Sequence, residues 1–235
     1  SGGACGDTAP FSFAPETRFF TLFTRPHQLP ILLQTFPFMN KSSSHFLQSI
    51  SDAVHTFESL RSLEPLLLQA ASAIRTCLLN NGKLLVAGNG GSAADSADFA
   101  TEYACRFLQD RKPFPAINLS ACGSLLTAVG NDYGFEWAFA RQVEAFGRPG
   151  DVLIVVSTSG NSPNILRAIE TAKALDITSI ALLGRDGGRC KGIANIELHV
   201  SARITARIQE AHKFLLHSIC EHVEDALQLA SSHDC

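Results

Sequence analysis

The sequence predicts an α/β domain built on a doubly wound parallel sheet flanked by helices. Three observations predict it. Short apolar runs alternate with segments of helical period along most of the chain. The run at 151–156 is apolar enough to be buried on both faces, as a central parallel strand is. Two Gly/Ser-rich loops, GNGGSA at 88–93 and STSGNS at 157–162, each follow an apolar run and precede a helical one.

The elements follow in order. Residues 1–38 are rich in Phe, Pro and Thr without a clean period, and the only methionine is Met39. Two readings of this segment stay open. It is either sequence upstream of a natural start at Met39, or an arm whose Phe11, Phe13, Phe19, Phe20 and Phe23 are buried on a neighbouring subunit. A single domain is expected over 39–235. Phe46, Ile50, Val54 and Phe57 repeat at helical spacing, as do Leu67, Ala71, Ile74 and Leu78. Asn80-Asn81-Gly82 ends the second helix and leads into a strand at 84–87. A small-residue helix at 93–107 comes next, and Pro113-Phe114-Pro115 opens a strand at 116–119. Helices around 123–130 and 135–146 precede a turn at 147–150 and the strand at 151–156. A helix at 162–175, a strand at 178–183, a turn at 185–188, a strand at 196–200 and a long helix at 205–230 complete the pattern.

Bulk properties exclude several classes. The 235 residues, 46% hydrophobic and 17% charged, suffice for one full core and leave little room for a second. A net charge of −3 offers no electrostatic footprint for nucleic acid or an anionic membrane. The apolar runs are strand-sized, far short of a membrane span. Seven cysteines, an odd number without CxxC pairing or a signal-peptide pattern, fit reduced thiols in the cytoplasm.

Each loop falls at a strand-to-helix junction, hence at the carboxyl edge of a parallel sheet, where open α/β folds bind ligands. Gly88, Gly90 and Gly91 allow a tight turn and close approach to a ligand. Ser92 is expected to cap the helix, with Asp95 completing a capping box. Ser162 is expected as the N-cap of the later helix, with Pro163 at its first position. Free N–H groups at both helix starts, with the hydroxyls of Ser157, Thr158 and Ser159, form an anion cradle. A dinucleotide site is excluded although GNGGSA fits G-x-G-x-x-A, because no carboxylate ends the strand at 116–119. A P-loop is excluded because no GK[ST] follows, and a hydrolase elbow because no G-x-S-x-G surrounds Ser159.

Several ordered strings together resemble one family. These are GNGGSAAD, Glu102 with Arg106-Phe107, AVGNDYGFE at 128–136, RQVEAFGRPGDVL at 141–153, STSGNSPN at 157–164 and RIQEAH at 207–212. Over essentially everything after Met39 the chain is similar to the phosphoheptose isomerases of the sugar-isomerase (SIS) fold. The resemblance implies interconversion of sedoheptulose 7-phosphate and D-glycero-D-manno-heptose 7-phosphate. It implies a phosphate held by Ser92, Ser157, Thr158, Ser159 and Ser162, with Asn89, Gly90, Gly91, Asn131, Asp132 and Gln209 also contacting substrate. It implies Glu102 as general base, His217 as general acid, and a homotetramer with active sites between subunits, the N-terminal helices packing in the oligomer. It further implies zinc on Asp98, Glu102, Gln209 and His217. Asp98 departs from the family, which usually carries His there, and a carboxylate changes the charge and reach of such a site.

The residues carry a consistent chemistry. Isomerisation between aldose and ketose needs a base for the proton beside a carbonyl and an acid or electrophile at the enediol oxygens. Glu102 lies roughly 15 Å along its helix from the first loop, which suits a long sugar phosphate. Asp98 and Glu102 share a helix face at i, i+4. Gln209 and His217 are two turns apart, about 12 Å of rise, and on a straight helix do not easily reach one metal. His212 reads as a core or supporting histidine. Asn131 and Asp132 are expected in a loop, where turn formation is their alternative role. A non-catalytic SIS-fold tetramer binding a replication initiator, and an isomerase for another phosphosugar, remain as rival functions.

Overall fold

The computed structural model describes residues 39–231; residues 1–38, with both readings of that segment, lie outside the described residues. The chain divides into two units, Ser1–Asn40 and Lys41–Cys235, and the second holds the sheet and every candidate residue.

Five parallel strands form the sheet: β1 (Leu84–Gly88), β2 (Ala116–Asn118), β3 (Val152–Ser157), β4 (Thr178–Gly184) and β5 (Ile196–Val200). Their order is β2-β1-β3-β4-β5, so the chain reverses direction across the sheet between β1 and β3. The helices among the described residues are α1 (Met39–Ser59), α2 (Glu64–Leu79), α3 (Gly91–Ala104), α4 (Gly123–Asp132), α5 (Ala140–Phe146), α6 (Pro163–Ala174) and α7 (Thr205–Ser231). The predicted doubly wound α/β architecture is the observed one.

Strand periodicity sorts the core into two layers. Leu84, Val86, Ile154, Ile180 and Leu198 point to one face and pack against α2, α3 and α7. Leu85, Ala87, Leu153, Val155, Ala181 and Leu183 point to the other, where Val143 of α5 and Ile165, Ala168 and Ile169 of α6 cover them. Every residue of β1 and β3 is buried, as their unbroken apolar runs require. At the amino edge, buried Asp151 accepts hydrogen bonds from the Lys83 N–H (2.9 Å), the Lys83 ammonium (2.6 Å) and the Arg148 N–H (2.7 Å). This carboxylate ties the start of β1 to the turn before β3.

Several expectations are corrected. The 135–146 segment is not one helix: a 3₁₀ turn spans Phe135–Trp137, and α5 begins only at Ala140. Asn131 and Asp132 lie in the last turn of α4, not in a loop, and the Asn131 side-chain amide donates to the Asp132 carboxylate at 2.7 Å. The helix expected at 93–107 is α3, which starts earlier and ends at Ala104 because Cys105 leaves helical geometry. Gly90 precedes α3, so Ser92 is buried within its first turn, and neither the Ser92 cap nor the capping box forms. Asn81, at φ 59°, takes the left-handed conformation that stops the chain after α2.

Candidate active site

The two Gly/Ser loops leave the sheet side by side. Gly88 at the end of β1 is in register with Val156, one residue before Ser157 closes β3. These neighbouring strands flank the point where the winding reverses, and the crevice outside their carboxyl ends is the ligand position of such sheets.

Side chains brace both loops. Asn89 and Asn164 exchange reciprocal amide hydrogen bonds, both 2.9 Å, so the first loop is fastened to the first turn of α6. Ser120 donates to the Gly88 carbonyl at 2.8 Å and accepts from its N–H at 3.3 Å. In the second loop the Gly160 N–H donates to Ser157 Oγ at 3.1 Å, and the Asn161 N–H to Ser159 Oγ at 3.2 Å. Ser162 occupies the N-cap of α6 with Pro163 next, as predicted, but its hydroxyl makes no capping hydrogen bond. Thr158, Ser159 and Ser162 are partly exposed, whereas Ser92 and Ser157 are buried. The partly exposed hydroxyls and the N–H groups opening α3 and α6 together suit a phosphate.

From this cradle α3 and α7 run alongside each other in the same direction. Gln209 lies against Gly91, where an added Cβ would come within 2.3 Å of the Gln209 amide. One turn on, the Lys213 ammonium forms an ion pair with Asp98 and stands 3.8 Å from Asp95. Beyond it His217 packs its ring on Phe107, centroids 5.7 Å apart. Glu102 is half-buried, and its carbonyl accepts a hydrogen bond from Arg111 at 2.6 Å. Arg111 in turn pairs with buried Glu224, which also accepts from the Leu108 and Gln109 N–H groups at 2.9 and 3.1 Å. The segment following α3 is thereby clamped to α7.

Asp95 is buried, and burial pushes its carboxyl above the usual carboxylate range; Asp98 adds to this, while Lys213, Gln209 and His217 oppose it. His212 is enclosed, and burial pulls it down to about 4, with neither ring nitrogen in a well-formed hydrogen bond. It is a core histidine, as read from the sequence.

The zinc set does not assemble. Among the described residues no group of three or more His, Cys, Asp or Glu side chains is arranged to hold a metal ion. Of the four residues assigned to zinc, Asp98 is engaged by Lys213, and Gln209 and His217 sit at opposite ends of the α7 face. The residues present therefore do not fit the metal.

Asn131 and Asp132 are exposed at the end of α4, and their side chains bond to each other. The sequence reading missed the bracing by Asn164 and Ser120 and the pairing by Lys213. Asn164 belongs to the quoted STSGNSPN string, and Lys213 lies midway between Gln209 and His217, so spacing alone carried a signal for both.

A doubly wound sheet with an anion cradle at its reversal point defines a class, and the comparisons name it. Residues 45–184 match the SIS domain, so the chain is an SIS-domain protein. The phosphoheptose isomerase of Helicobacter pylori is 48% identical over 167 residues, 71% of this chain and 87% of that protein. That of Neisseria meningitidis is 45% identical over 188 residues, 79% of this chain and 94% of its own length. The solved phosphoheptose isomerase from Francisella tularensis superposes with a TM-score of 0.73 at 41% identity, covering 79% of this chain and 97% of that one. The chain belongs to the phosphoheptose isomerase family.

Proposed function

We propose that this chain is an aldose–ketose isomerase interconverting sedoheptulose 7-phosphate and D-glycero-D-manno-heptose 7-phosphate. The observation that carries the reading is one juxtaposition. A phosphate cradle opens at the reversal point, and α3 and α7 lead away from it together, presenting Glu102 and His217. Thr158, Ser159, Ser162 and the N–H groups of the helix starts hold the phosphate, while buried Ser92 and Ser157 shape the loops. Asn89, Gly90, Gly91 and Gln209 line the near end of the sugar, with Asn131 and Asp132 completing its contacts.

Glu102 takes the proton from C1 of the ketose. The electron pair forms the C1–C2 double bond of an enediol as the C2 carbonyl oxygen takes up a proton from His217. The base then returns its proton to C2, the C1 hydroxyl gives its proton back to the histidine, and the aldehyde forms at C1. Atoms balance, and both side chains end as they began. The roughly 15 Å of rise between the start of α3 and Glu102 favours a long sugar phosphate over a triose.

In our reading the enzyme acts in the cytoplasm, as a homotetramer whose sites lie between subunits. Among the described residues no helix is long and apolar enough to cross a membrane, and five cysteines are free thiols. The Helicobacter and Neisseria relatives are phosphoheptose isomerases, which favours catalysis over the non-catalytic, initiator-binding alternative.

The decisive experiment measures turnover of sedoheptulose 7-phosphate alongside a panel of shorter phosphosugars. Glu102→Gln is expected to lower kcat by about 100-fold or more while thermal unfolding is unchanged. Failure of the unaltered chain to turn over the heptulose, with and without added zinc, would sink the proposal. Preference for another sugar on the panel would reassign the substrate.

A further inference from the structure

The face of α7 that looks at α3 carries Gln209, Lys213 and His217 at successive i, i+4 positions. The facing side of α3 carries Asp95, Asp98 and Glu102. A cation shared by Gln209 and His217, two turns apart, would have to lie over position 213 between them. In this chain that space is occupied by a side chain that is itself a cation.

We propose that Lys213 is the fixed positive charge of this site and takes the place of a divalent ion. Three observations carry the inference. The Lys213 ammonium is ion-paired with Asp98 and lies 3.8 Å from Asp95, so one cation serves both carboxylates. Asp98 places a carboxylate in the middle of the α3 face opposite Lys213, and an aspartate is the natural partner for an ammonium. Finally, no metal-holding group of His, Cys, Asp and Glu forms among the described residues.

The physical consequences run in one direction. Asp95, Asp98 and Glu102 on neighbouring turns repel one another unless a cation lies among them, and Lys213 supplies it from the protein itself. An ammonium cannot share its position with a divalent ion, because the two repel at the distances of a coordination shell. The lysine also holds Asp98 one turn before Glu102 and so fixes the face that presents the base. Lys213 acts on the reaction through these neighbours and is a positioning residue.

The role of Lys213 rests on the isomerase reading for its catalytic meaning, but its test does not. Zinc binding to the purified unaltered chain and to the double variant Asp98→His/Lys213→Leu is measured by calorimetry and by metal analysis after dialysis. The variant removes the cation and offers His at 98 beside Glu102, Gln209 and His217. The expected result is no stoichiometric zinc on the unaltered chain and affinity raised by at least about 10- to 100-fold in the variant. Zinc binding to both, or to neither, overturns the proposal. Lys213→Gln alone, which stays polar and removes the charge, is expected to lower kcat without conferring dependence on zinc. With the unaltered chain, turnover abolished by a chelator and restored by zinc overturns it. If no chain turns over sugar, the isomerase reading fails, while the calorimetric comparison still decides what Lys213 does.

Discussion

Gly160 sits at φ 62°, and a Cβ added there would lie 1.9 Å from the Gly187 carbonyl oxygen, a backbone atom that cannot swing aside. The Cys190 N–H also donates to the Gly160 carbonyl at 2.9 Å, so the second loop is anchored to the turn after β4. Gly160→Ala therefore combines left-handed strain with a clash and is expected to cost at least about 2 kcal/mol, read from urea unfolding. Its KM for the sugar phosphate should rise as well, because the hydroxyls of Ser159 and Ser162 flank it. His212 gives a second prediction. Burial lowers it from 6.5 to about 4, so between those values the unfolded chain binds a proton that the folded chain refuses. The contribution of His212 to stability is thus full above pH 6.5 and declines as pH falls toward 4, by about 3 kcal/mol in total. Unfolding free energies measured from pH 7 to pH 4.5 should fall less steeply for His212→Gln than for the unaltered chain. Equal slopes for the two proteins would refute the assignment.

At the level of elements, the amino and carboxyl edges of the sheet do separate work. Asp151 holds Lys83 and Arg148 at the amino edge, away from the loops. Asp151→Asn keeps the shape but breaks a buried ion pair, and is expected to destabilise by about 3 kcal/mol with KM unchanged. A combined loss of stability and substrate affinity would show that the two edges are coupled. The elements themselves were largely legible in the sequence, because unbroken apolar runs such as 152–156 and the Gly/Ser junctions depend only on local pattern. Capping was less so: Ser92 has the character of a cap, but Gly90 takes the position because its φ of 55° lets the chain enter α3 two residues earlier. The split at 135–146 was hidden for the same kind of reason, since Ala, Phe and Trp tolerate both 3₁₀ and α geometry. Least legible were the contacts Asn89–Asn164 and Asp98–Lys213. They join residues 75 and 115 positions apart, and only the packing of whole elements sets which side chains meet.

At the scale of the molecule, the stripe Phe46, Ile50, Val54 and Phe57 has a clear helical period, yet it does not enter the core of the single chain. Phe46 is 67% exposed and Val54 58%, whereas Leu67, Ile74 and Leu78, of the same character on α2, are buried. Phe57 alone finds an aromatic neighbour, Phe214 on α7, at 5.2 Å between centroids. A helix with one apolar face in water is unfavourable by the hydrophobic effect, and a second copy of the same stripe is the simplest cover in a symmetric assembly. That is the oligomer our functional reading requires. Ile50→Glu combined with Val54→Glu places charges in the middle of the stripe without touching the sheet, the loops or α3. The variant is expected to shift from tetramer to smaller species in analytical ultracentrifugation while its circular dichroism stays that of the unaltered chain. Because the sites are read as shared between subunits, kcat should fall with the tetramer fraction as protein is diluted. A variant that remains tetrameric, or a dissociated variant with full activity, would assign the stripe another partner or the site to a single chain.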